Sequence, residues 1–138
     1  MGAWYTIGLC LGLGLGLGVI VAGILGSTAL GVGTASLVAA TAGVTIGLVV
    51  GDSIELVAGG VAGLLGALSG AAVVRGALRR GATRVGVAVY VAAIGVAICL
   101  VALIPLAGYV EVVAIPLAAA RMRGRQAPRF AGLRTLAK

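Results

Sequence analysis

The sequence contains no histidine, only three acids and two cysteines, and charged side chains make up 9% of its 138 residues. Each shortage closes a class of function. Without histidine, and with Cys10 and Cys99 far apart and outside any CxxC pair, no metal-ligand set or thiol-exchange motif is present. Both cysteines read as small buried hydrophobes. No nucleophile–base pair and no cofactor motif occurs, so an enzyme is not expected. Aromatic residues are 4% of the chain, too few to form a stacking platform for bases, so the net charge of +7 does not point to nucleic acid. Residues 2–51 carry no charged side chain at all. A soluble domain, at about 25% charged residues, could not hold a hydrated surface on that supply.

What the chain does have is 62% hydrophobic residues and a mean hydropathy of +1.27. Its first 51 residues are long enough for two helices of about 20 residues across a hydrocarbon core of about 30 Å. A self-assembling shell of the gas-vesicle kind would need strand alternation or solvated amphipathic faces, and neither is present. The N-terminus lacks the basic stretch of a signal peptide, so the first apolar run is expected to be retained. Residues 1–6 match the myristoylation pattern, but the adjacent spanning helix makes such an anchor redundant.

The expected fold is all-α, a polytopic transmembrane bundle of about five segments, with a four-helix version as the alternative. Helices are predicted at roughly 3–25, 30–50 and 53–74. Trp4 and Tyr5 form an interfacial pair, and Gly51-Asp52 breaks the second helix from the third. A basic loop with Arg75, Arg79, Arg80 and Arg84 follows. Residues 85–120 are then apolar except for Glu111; as one helix they would reach about 54 Å, more than a bilayer needs. Pro105-Leu106-Ala107-Gly108 is a turn signal, and predicts a hairpin of helices at about 85–103 and 109–123. All ten basic residues lie in the loop or in a tail with Arg121, Arg123, Arg125, Arg129, Arg134 and Lys138. The hairpin puts all ten on one side, the cytoplasmic one by the positive-inside rule. Asp52, Glu55 and Glu111 then lie outside, with the N-terminus. Residues 1–120 form the membrane domain and 121–138 the cytoplasmic tail, in which Phe130, Leu133 and Leu136 are spaced for a short interfacial helix.

Glycine is abundant, with 25 residues. It costs about 1 kcal/mol per helix position in water, but in lipid the helix survives because unpaired backbone groups are worse. Glycine there lets helices approach closely. Gly8, Gly12 and Gly16 form one small-xxx-small stripe, Gly14 and Gly18 an adjacent one, and Gly59 and Gly63 a third, continued by Gly66 and Gly70. These predict tight packing, against the same chain or a second copy. The hexad 21–26 (VAGILG) recurs as 61–66 (VAGLLG), as a parallel duplication would demand, but low-complexity Gly/Ala/Leu sequence produces such echoes freely.

The acids have structural readings. Asp52 and Glu55 are spaced as a capping box, and Glu111 falls in the predicted first turn of the last helix, where negative charge suits the helix dipole. A sharper reading makes Glu111 an ion or proton site, because Pro116, five residues on, frees a backbone carbonyl in a short membrane helix. The arginines, including Arg75, Arg79, Arg80, Arg84, Arg121, Arg123 and Arg125, are expected to contact anionic head groups.

The run Gly12-Leu13-Gly14-Leu15-Gly16-Leu17-Gly18 resembles the glycine motif on the first helix of rotary ATP synthase proteolipid subunits. The likeness spans seven residues; residues 30–50 lack the ion-binding carboxylate that family requires, which sets it aside. The strings 105–116 (PLAGYVEVVAIP) and 129–137 (RFAGLRTLA) are similar to small Gly/Ala-rich membrane proteins of actinobacteria. That resemblance implies a bacterial cytoplasmic membrane and supplies no activity. The expected role is a non-enzymatic packing or accessory subunit, as a homo-oligomer or within a larger complex, with a small ion or proton channel using Glu111 as the alternative.

Overall fold

A computed structural model describes residues 2–104 and 106–124, which fold into five α-helices. They are α1 (Ala3–Leu25), α2 (Ala29–Val50), α3 (Ser53–Leu78), α4 (Arg84–Val101) and α5 (Ala107–Gly124). The protein is an all-helical, polytopic bundle. α1 to α4 are each long and apolar enough to cross a membrane. Large apolar side chains such as Leu30, Leu37, Val49, Val85 and Val89 point outward. That distribution suits lipid, which needs no polar coat.

Local chemistry sets the helix ends. The Thr28 side chain caps α2 by accepting the Gly31 N–H at 3.0 Å, and Thr83 does the same for α4 from Gly86 at 3.3 Å. Asp52 precedes α3 in extended conformation, and its N–H donates to the Glu55 carboxylate at 3.1 Å. Gly81, at φ +88°, turns the chain after α3, a conformation glycine adopts without a Cβ penalty.

Helix α1 is the centre, touching all four other helices. Ten of its residues are buried and six of those are glycines, so at those six positions neighbours approach its backbone. Gly14 and Gly18 face α3, at the carbonyls of Gly59 and Gly63. Gly59 in turn lies against Gly43 of α2 so closely that a Cβ on either glycine would strike the other's carbonyl oxygen. Three helices therefore converge at Gly14, Gly59 and Gly43. Gly8, Gly12 and Gly16 face the other way, towards Tyr109, Ala102 and Cys99 of the α4–α5 side. All the stripes named from sequence are thus occupied by partners within the chain.

These pairings make consecutive helices alternate in direction. One end gathers the start of α1, the α2–α3 turn with Asp52 and Glu55, and the α4–α5 turn. The other gathers Arg79 and Arg80, Arg84, Arg121 and Arg123. The hairpin, not a single long helix, accounts for residues 85–120. Arg125 and the remaining basic tail, with Phe130, Leu133 and Leu136, lie outside the described residues.

The basic loop is shorter than expected. Helix α3 runs through Arg75 to Leu78, with Val74 and Gly76 buried on either side of it and Ala77 and Leu78 packed against the core. An arginine near a helix end extends its head group to the interface without interrupting the helix.

Candidate functional site

Apart from Ser69, buried midway along α3, the polar groups inside the bundle fall into two places, both reached from α1. The first is at the acidic end. Glu55 is buried, and besides the Asp52 N–H it accepts the Thr6 hydroxyl at 2.7 Å, tying α3 to α1. The expected capping role stands, with an added interhelical bond 49 residues away in sequence. Nearby, the Tyr5 hydroxyl donates to the Leu103 carbonyl at 3.2 Å, and the Tyr109 hydroxyl to the Trp4 carbonyl at 2.7 Å. The first satisfies a carbonyl of the α4–α5 turn that lipid could not. The Trp4 and Tyr5 rings meet edge to face, 6.4 Å apart. The sequence marked Trp4 and Tyr5 as interfacial and residues 105–108 as a turn, but nothing in it linked the two.

The second place is Glu111. The expected position, in the first turn of the last helix at the outer surface, is not the one observed. α5 begins at Ala107, and its first turn contains no acid. Its start lies level with Gly8, because a Cβ on Gly108 would meet the Gly8 carbonyl. Glu111 Oε2 would come within 2.8 Å of a Cβ placed on Gly12. Gly12 is nine residues, about 13 Å, below the start of α1, a helix about 34 Å long. The carboxyl group thus sits well inside the bundle. The physical reason is the shortness of α4: its 18 residues end beside Gly12, and the turn after it stays below the N-terminus of α1.

Oε2 of Glu111 is buried and has no hydrogen-bond partner. Its surroundings are Gly12, with Ala102 packed against that glycine, and Cys99 one turn of α1 further along, at Gly16. Pro116 lies inside α5, half-buried, beyond Glu111. Both cysteines are free thiols, Cys10 fully buried and Cys99 partly so. Among the described residues, no group of three potential metal ligands comes together.

Three hydroxyls of α2 are used locally. Thr34, Thr41 and Thr45 of α2 each donate to a carbonyl of their own helix, at 2.9–3.0 Å. No known protein family, curated protein sequence or solved structure matches the chain.

Proposed function

We propose that this chain is a non-enzymatic packing subunit of a bacterial cytoplasmic membrane, joining a second copy or a larger membrane complex through α2. The observation that carries the reading is the lopsided packing of α2. Within the chain it touches only α1 and α3 among the described helices. Its outer face presents Gly33, Thr34, Thr41 and Thr45 alongside Leu37 and Leu48, all exposed. Small residues on an outward face let another helix come close, which is the main source of helix association in lipid. The arginines of the opposite rim mark the cytoplasmic side by the positive-inside rule and bind anionic head groups there.

The test is cysteine cross-linking in native membranes, in a background with Cys10 and Cys99 replaced by alanine. Thr41→Cys on α2 should give a cross-linked adduct, homodimeric or with a partner, whereas Val89→Cys on the outer face of α4 should not. Equal yields at both positions, or none at Thr41, would remove α2 as the interface.

A second reading rests on the unpartnered oxygen of Glu111. A carboxyl group deep in a membrane bundle is costly and marks proton or cation sites in many membrane proteins. Proteoliposomes should then show a proton or cation flux that Glu111→Gln abolishes without loss of fold. A wild-type protein with no flux excludes this reading and leaves the first standing.

A further inference from the structure

Helices α4 and α5 are joined by a short turn yet diverge below it. α4 leans on α1, α5 on α1 and α3, and the two barely meet. Between them is a cavity of about 390 Å³ in the half of the bundle nearer the basic end. Its floor includes Val19 and Val73, and its walls Tyr90 and Ile94 on one side, Ile115 and Met122 on the other. A smaller recess shares Val73 and Met122 with it and leads on to Arg80 and Arg123.

We infer that this groove seats one acyl chain of an anionic phospholipid, with the lipid phosphate held by Arg80 and Arg123. The occupant has to be apolar along the groove and anionic at one end. Along α5 the walls run eight residues, Ile115 to Met122, a rise of about 10 Å. The volume lies in the range of small-molecule sites, about 300–1,000 Å³. A second copy in the same orientation would bring arginines to arginines.

Among the described residues, the charge at the end of the groove has no internal answer. Asp52 and Glu55 are at the opposite end of the bundle and Glu111 is level with Gly12, so no acidic side chain neutralises the two guanidinium groups. Arginine matches phosphate geometry with paired N–H donors. A head-group phosphate at the interface, attached to a chain that enters the groove, satisfies both halves of the site. This goes beyond diffuse attraction of basic residues to a charged leaflet, because it assigns one bound lipid to named residues.

Native mass spectrometry of the full chain, released from micelles containing equal phosphatidylglycerol and phosphatidylethanolamine, tests this. One retained lipid per chain is expected, with phosphatidylglycerol preferred. Arg80→Gln and Arg123→Gln should each reduce that preference roughly fivefold, and Val89→Ala, on the outer face of α4 and away from the groove, should leave it unchanged. Ala118→Trp, which fills the groove, should remove the retained lipid while circular dichroism shows the helices intact. No retained lipid, or one bound without head-group preference, would overturn the proposal. So would arginine variants that match the wild type, which keeps the idea refutable if the tryptophan variant fails to fold.

Discussion

At the scale of single residues, the glycines divide into those that packing requires and those it does not. Gly59 is of the first kind, since its missing Cβ is where the Gly43 backbone lies. Gly33 is of the second, with nothing within 4 Å of the same position. Gly59→Ala should therefore destabilise the bundle by about 1–3 kcal/mol, the usual cost of overpacking. Gly33→Ala should leave the stability of the single chain unchanged or raise it by up to about 1 kcal/mol. Denaturant unfolding in micelles measures both. The Thr6–Glu55 bond makes a second prediction. In a double-mutant cycle with Thr6→Val and Glu55→Ala the two losses should not add, whereas independent sites would give additive losses. Glu55 as a capping residue was readable from the Asp-x-x-Glu spacing, because a cap is local. Its bond to Thr6 was not, because nothing in the sequence links positions 49 residues apart.

At the scale of elements, hydropathy and turn residues marked all five helices, and the charge distribution separated a hairpin from one long helix. The misread features share a cause. Arg75 looked like the end of α3, and Glu111 like the start of α5, because charge in an apolar sequence reads as contact with water. Arg75 instead sits within a helix whose apolar residues continue packing to Leu78, and Glu111 is carried inward because α4 stops short. Helix length relative to a neighbour is a tertiary property, and no local pattern encodes it. The α4–α5 turn carries its own signature: Leu106 adopts φ +70°, in the left-handed region that disfavours side chains with a Cβ. Leu106→Gly should stabilise the protein by about 1 kcal/mol, raising the denaturant midpoint. A lowered midpoint would mean that the Leu106 side chain contributes more than the backbone strain it imposes.

At the scale of the whole molecule, α1 serves as an axle whose six buried glycines, with Cys10, Leu15, Val19 and Ala22 among them, face the neighbouring helices. Neighbouring backbones pack directly on it, and bulk is left on the outside where lipid meets it. This arrangement sorts the charges: capped acids and tyrosine hydroxyls close one end, and arginines ring the other. The lipid groove and the outward face of α2 both depend on that sorting, as does the depth of Glu111. The most direct test is labelling by a membrane-impermeant thiol reagent, in a Cys10→Ala, Cys99→Ala background. Single cysteines at Ser27, Ala82 and Arg121 should react from one side of the membrane, and those at Ser53 and Ile104 from the other. Labelling of Ala82 and Arg121 from opposite sides would contradict the five-helix alternation and everything built on it.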